Sequence, residues 1–334
     1  MPLAPPFLLD TDIGTDVDDA MALSLALASP ELRLVGVTTV HGDAPLRARI
    51  ARKLLRLGGR ENIPVVAGAS LPLQAPLPPN FHWMPRLRGH EGLGFLSDAE
   101  LEPTKDLEAT RDDAARFILE TAAAHKGELS LLTIGSLTNV GRALQLEPDL
   151  KHQIKGITAM GSTVYAERFP WPPMLETNFN CDPLATRLVF ESGIPITVVP
   201  MEVTTQVYLT ADQRSRMRSW RAPLAEALAD MMDGMLAGMD SLSAEVGLTE
   251  DFYQGRTFMH DPLAVAAACG SALLTLEPLH LRLEVIDHVL RTMPCADLKP
   301  NTLIAVDVRA EAFVEFWLDR IQTLGQGTPK PPPI

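Results

Sequence analysis

The sequence predicts an α/β protein built on a single open, mostly parallel, Rossmann-like sheet flanked by helices, and three observations predict it. Short β-rich runs alternate with amphipathic helical ones; the 334-residue chain is 46% apolar, enough for a substantial core; and no repeat or linker divides it. The alternation begins with Phe7–Leu9 and the helical Ala20–Ala28, then Leu32–Val40 and Pro45–Leu57, then Ile63–Val66. It resumes with Asp112–His125 and Leu129–Ile134, continues through Ile154–Met160 and a helix near Pro183–Phe190, and reaches Ile194–Val199. The runs Leu279–Ile286 and Leu303–Val308 are expected to add strands at an edge. Three stretches, Pro72–Pro85, Ala166–Pro173 and Val246–Arg256, read as lid-like loops. The Pro/Gly-rich residues 325–334 read as a disordered tail to one domain over residues 1–324.

Composition narrows the function. The formal charge of 29 − 42 = −13 argues against nucleic acid as a partner, because binding a phosphate backbone requires clustered Lys and Arg. Cys181, Cys269 and Cys295 are odd in number, far apart and without paired metal spacing, so they read as reduced thiols and indicate neither a disulfide framework nor a zinc site. Met1–Leu9 lacks a basic leader, and no apolar run approaches the roughly 18 residues of a membrane span. These features lead us to expect a soluble, cytoplasmic protein that acts on a small neutral or cation-assisted substrate, with no membrane partner.

The first strand runs straight into Asp10-Thr11-Asp12-Ile13-Gly14-Thr15-Asp16-Val17-Asp18-Asp19, five carboxylates in ten residues. Helix capping accounts for one or two of them, Asp16 or Asp18, but like charges this close repel unless a cation or a proton sits among them. Oxygen-only donors point to a hard ion, calcium or magnesium. An EF-hand loop is excluded, since its twelfth position would fall on Met21 or Leu23 where a Glu is required. A haloacid-dehalogenase-like, magnesium-dependent phosphatase with Asp10 as nucleophile shares the Asp-x-Asp spacing followed by Gly-Thr, but does not call for Asp18-Asp19-Ala20 opening the next helix.

Segment Leu8–Leu23 resembles the N-terminal signature of the inosine-uridine nucleoside hydrolase family, Asp-x-Asp-x-Gly followed by Asp-Asp-Ala. Further matches follow in the family's order: Gly135-Ser136-Leu137-Thr138-Asn139, Met160-Gly161, Glu176-Thr177-Asn178-Phe179-Asn180-Cys181-Asp182-Pro183 and His260-Asp261-Pro262-Leu263-Ala264. Each alone is weak, but together they are specific. The chain departs from the common pattern in three places. Two extra residues separate the Asp pairs and leave Asp16 without a counterpart, Gly42-Asp43 replaces Gly-Asn, and Arg88-Gly89-His90-Glu91-Gly92-Leu93-Gly94 replaces His-Gly-x-x-Gly-Leu-Gly.

The resemblance implies hydrolysis of ribonucleosides to ribose and free base by a calcium-bound water, with Asp12 as general base and His260 assisting the departing base. It implies Asp12, Asp19, Asp261 and the Ile134 carbonyl as calcium ligands and Asp10 as their support, with Asp18, Glu176 and Asn178 on the sugar. Calcium is favoured over magnesium because its six to eight or so ligands leave room for ribose hydroxyls. A homodimer or homotetramer is the expected assembly. His82 or His90 could replace His260 as the acid; Trp83, Phe252 and Tyr253 could stack on a base; and Asp182 is expected to cap a helix opened by Pro183. The remaining alternative is a non-catalytic protein that binds a nucleoside or ribose.

Overall fold

Near-continuous apolar runs give the central strands two buried faces, as in Phe7–Leu9, and helices cover both. The computed structural model describes residues 3–14, 16–74, 92, 94–165, 168, 176–246, 254–286 and 289–325. Its strands are β1 (Pro6–Thr11), β2 (Arg33–Thr39), β3 (Val65–Ala67), β4 (Leu129–Thr133), β5 (Ile154–Met160), β6 (Ile196–Val199), β7 (Tyr208–Leu209), β8 (Thr257–Phe258), β9 (Leu274–Leu279), β10 (Leu281–Ile286), β11 (Val289–Pro294) and β12 (Thr302–Val308). Eight of them form one sheet in the order β3-β2-β1-β4-β5-β6-β12-β9, parallel throughout except for the antiparallel edge strand β9. β7 pairs with β8, and β10 with β11, as two small antiparallel ribbons.

The helices are α1 (Asp18–Ala28), α2 (Ala44–Leu57), α3 (Asp98–Leu101), α4 (Asp113–His125), α5 (Thr138–Leu146), α6 (Pro183–Glu191), α7 (Met201–Thr204), α8 (Ala211–Ser219), α9 (Pro223–Val246), α10 (His260–Ala268) and α11 (Ala310–Gly325). Leu9, Leu132, Met160, Val199 and Ala305 form a core with α1, α2, α9, α10 and α11 on one face. Leu8, Leu131, Ile157, Val198 and Ile304 form the other with α4, α5 and α6. From β1 the chain moves outward through β2 to β3, then returns and proceeds from β4 on the other side of β1. The reversal makes β1 and β4 neighbours, and ligands of open α/β sheets bind outside the carboxyl ends of strands at such a point.

The expected open, mostly parallel sheet is present, but its far edge differs from the sequence reading. Leu303–Val308 lies inside the sheet, between β6 and β9, and the run Leu279–Ile286 breaks at His280. Its first residue ends β9 and the rest forms β10 of the separate ribbon; the apolar pattern is continuous across the break and so hides it. Most of Pro72–Pro85, Ala166–Pro173 and Val246–Arg256 lies outside the described residues, as do His82, Trp83, residues 88–91, Phe252, Tyr253 and residues 326–334. No helix among the described residues is long and apolar enough to cross a membrane.

Candidate active site

β1 delivers Asp10 inside the sheet and Asp12 just past its end. Gly14 then takes φ 120°, a conformation L side chains rarely adopt, and lets the chain turn back toward α1. Asp18 and Asp19 occupy the first turn of α1, and Asp261 the first turn of α10, where the helix dipole favours negative charge. Because α1 and α10 pack together, carboxylate oxygens of Asp18, Asp19 and Asp261 come within 4.8 Å of one another. Asp18 is tied in by the backbone N–H groups of Asp19 (3.2 Å) and Asp261 (3.3 Å), and Asp19 accepts from the Thr11 hydroxyl.

The end of β4 closes on this cluster. A Cβ on Gly135 would fall 2.8 Å from the Asp12 nitrogen and 2.9 Å from its Oδ1, so the residue after Ile134 must be glycine for Asp12 to approach. The Ile134 carbonyl accepts from Asn178 Nδ2 at 3.2 Å, and the same amide reaches the Met160 carbonyl at 3.2 Å, bracing the ends of β4 and β5. Glu176 is buried and accepts from Phe179 N–H (3.0 Å) and Asn180 Nδ2 (3.2 Å). Asp182 caps α6 by accepting from Ala185 N–H at 3.0 Å with Pro183 following, as expected, and also receives the Thr138 hydroxyl at 2.8 Å.

His260, at the start of α10, shares a 2.7 Å hydrogen bond between Nδ1 and the Thr204 hydroxyl of α7 and stacks on Phe258. Burial pushes its pKa down to about 4, so the imidazole is neutral at pH 7.

Two supports, Arg47 and Asn139, had no role assigned from the sequence. Arg47, only 1% exposed, donates from Nε to the His41 carbonyl (2.7 Å) and from Nη1 to the carbonyls of Asp12 and of Ile13 (3.2 Å), holding the Asp loop by its backbone. It sits in the buried stripe Ala44, Arg47, Ala48, Ala51 of α2, and a lone arginine on an apolar helix face is the signal that could have found it. Asn139 donates to Asp10 Oδ1 (2.8 Å) and the Thr39 carbonyl (3.1 Å) and accepts from Ala69 N–H (3.0 Å), locking three strand ends together. Thr38 donates to the same Asp10 oxygen at 2.6 Å, and Asp10 Oδ2 is buried without a partner among the described residues.

So many buried carboxylates are electrostatically unbalanced. Burial first, and then neighbouring Asp charges, raise Asp18, Asp19 and Asp261 well above the ordinary carboxylate range. Burial likewise lifts Asp10 to about 7 and Asp16 to about 6, with Asp12 adding to both, while Arg47 lowers Asp19 in part. Either protons or a cation must neutralise the cluster at neutral pH, and an all-oxygen donor set suits a hard divalent ion. The residues therefore fit a metal site.

Residues 7–315 match the family described as inosine-uridine preferring nucleoside hydrolase. The chain belongs to that family. It is similar to a probable uridine nucleosidase 2 of Arabidopsis thaliana, 30% identical over 94% of this chain and 96% of the relative. A pyrimidine-specific ribonucleoside hydrolase of Escherichia coli is 29% identical over 96% of this chain and 99% of its own. Among solved structures, a purine-preferring ribonucleoside hydrolase from Gardnerella vaginalis superposes with a TM-score of 0.77 at 27% identity, covering 96% of this chain and 99% of that one. Membership in the nucleoside hydrolase family makes the chain an enzyme for hydrolysis of ribonucleoside N-glycosidic bonds. Relatives of opposite base preference match it about equally well, so likeness does not carry a preference over.

Proposed function

We propose that this nucleoside hydrolase splits ribonucleosides into ribose and free base with Asp12 as general base, in a site that holds calcium through Asp12, Asp19, Asp261 and the Ile134 carbonyl, backed by Asp10. The observation that carries this reading is the convergence of buried carboxylates from the starts of α1 and α10 at the β1/β4 reversal. Calcium there would lower the pKa of a water and, with about six to eight oxygen ligands, leave places for ribose hydroxyls. Asp12 takes the proton of the attacking water, oxygen bonds to the anomeric carbon, and the glycosidic electron pair leaves with the base. The sugar passes through an oxocarbenium-like state whose positive charge the carboxylates stabilise.

Asp18, Glu176 and Asn178 hold the sugar. Both Nδ2 protons of Asn178 are committed to the Ile134 and Met160 carbonyls, so it offers a hydroxyl its acceptor oxygen. Asp16, whose charge raises Asp18, belongs to the same electrostatic unit. We place the protein in the cytoplasm as a homodimer or homotetramer, with residues 1–324 as the working domain.

The reading is tested by incubating the protein and calcium with a panel of ribonucleosides, their 2′-deoxy forms and a phosphomonoester, while assaying reducing sugar and phosphate. Ribose release is expected, with the deoxy forms slower by about a hundredfold or more because a buried polar site is left unpaired. Phosphate release would instead identify the phosphatase, intact nucleoside would identify a binding protein, and equal rates on ribo and deoxy forms would remove the hydroxyl contacts.

His260 is proposed to assist the departing base as a neutral imidazole that donates a hydrogen bond from Nε2–H to the charge developing there, its Nδ1 accepting from the Thr204 hydroxyl. His260→Ala is expected to lower kcat for nucleosides with poor leaving groups by about a hundredfold, within the usual range for general acid catalysis. A p-nitrophenyl riboside, whose leaving group needs no proton, should lose much less. Equal losses on both substrates would make His260 a positioning residue.

A further inference from the structure

The β10–β11 ribbon stands outside the main sheet, and an asparagine amide grips the backbone of each of its strands. At Leu281, Asn301 accepts the N–H through Oδ1 (2.9 Å) and donates to the carbonyl through Nδ2 (3.1 Å). At Leu290, Asn180 accepts the N–H through Oδ1 (2.7 Å) and donates to the carbonyl through Nδ2 (3.3 Å). Each amide stands in for the neighbouring strand that the ribbon lacks at that residue. The two differ in one contact: the second Nδ2 proton of Asn180 goes to Glu176 Oε2 at 3.2 Å.

That contact is directional. Asn180 is 2% exposed, and its oxygen is committed to the Leu290 N–H. A flipped amide would set oxygen against both the Leu290 carbonyl and the Glu176 carboxylate, so the ribbon backbone dictates which end of the amide Glu176 meets. The ribbon is itself docked beside the strand ends, where the Thr292 hydroxyl meets that of Ser162 and donates to the Thr163 carbonyl at 3.2 Å. The Phe179 N–H holds both Glu176 oxygens locally (3.0 and 3.3 Å), and through Asn180 the orientation of Glu176 is also referred to an element that contributes no carboxylate to the Asp cluster.

We infer that Asn180 is a positioning residue for the sugar: its amide, oriented by the Leu290 backbone, fixes the Glu176 carboxylate in the attitude that receives a ribose hydroxyl. The inference rests on the reading of Glu176 as a sugar contact. Asn180→Asp keeps the shape but turns a donor into a repelling oxygen, while Asn301→Asp makes the same change on the ribbon with no link to Glu176. The experiment measures KM, kcat, competitive inhibition by ribose, and melting temperature for N180D, N301D, E176Q and N180D/E176Q. N180D should raise KM and weaken ribose inhibition about tenfold each, with kcat changing far less. N301D should lower the melting temperature while leaving KM and ribose inhibition as they are. In the E176Q background, N180D should add no more than about twofold to KM, because effects carried by one contact are not additive. Additive effects, or a folded N180D with normal KM beside an impaired E176Q, would overturn the role of Asn180 alone. An E176Q enzyme with normal KM would overturn the sugar contact itself, and the inference with it. Should N180D fail to fold, N180S, which shortens the side chain and adds no charge, enters the same cycle with the same outcomes.

Discussion

Asp12→Asn is expected to lower kcat by about a thousandfold while leaving the fold as stable as the parent or more so. Loss of a general base typically costs about a hundred- to ten-thousand-fold, and the amide is also a weaker ligand for a hard cation. Stability should not follow activity down. Arg47 holds the backbone carbonyl of Asp12, a contact the substitution leaves in place, and Asn has nearly the size of Asp beside Gly135. Asp12 is, moreover, one of the charges that push Asp18, Asp19 and Asp261 upward, so removing it relieves repulsion among buried carboxylates. Steady-state kinetics on a ribonucleoside with thermal melts in chelator check both halves. A folded variant with kcat within tenfold of the parent would end the assignment of Asp12 as base, and a large drop in melting temperature would show that its carboxylate supports the loop.

The sequence made the centre of the sheet legible because parallel strands buried on both faces leave continuous apolar runs, and Ile154–Met160 coincides with β5 residue for residue. It was least legible at the edge, where β9 and β10 are separated only by His280 and no turn residue marks the change of sheet. At the site, five clustered aspartates announce themselves by mutual repulsion, and Asp261 by the helix start it shares with Pro262. The second layer did not. Arg47, Asn139, Thr204 and Asn180 act on partners 35, 129, 56 and 110 positions away, relations that only the folded topology creates. Close to the cluster, the structure also draws Asp18 into the carboxylate trio, although the family resemblance gives it to the ribose. Both assignments are compatible if a hydroxyl lies between Asp18 and the cation.

Stripping the metal is expected to abolish activity and to make stability depend on pH in a direction opposite to that of most acidic proteins. In the unfolded chain these carboxylates titrate near 3.8; in the metal-free folded chain burial holds Asp16 at about 6, Asp10 at about 7, and Asp18, Asp19 and Asp261 well above 3.8. Between those limits the folded state binds more protons than the unfolded one, so the free energy of unfolding falls as pH rises. The associated stability is fully present below about pH 4 and is progressively lost as pH climbs through 6 and 7. A divalent cation replaces those protons. Metal-loaded protein should therefore lack the decline, calcium uptake at pH 7 should release protons, and affinity should rise with pH. At a calcium concentration of about a hundred times Kd, loading adds about 2.7 kcal/mol, or a melting-temperature gain of about 5 °C for a chain of this size. Melts at pH 5 and pH 8 in chelator and in calcium, run beside nucleosidase assays, read every part of this. Full turnover after exhaustive demetallation would contradict the metal requirement. A calcium-induced gain that stays the same between pH 5 and pH 8 would mean that the buried aspartates are already ionised in the metal-free protein, and that Arg47 and the helix N-termini balance them without help.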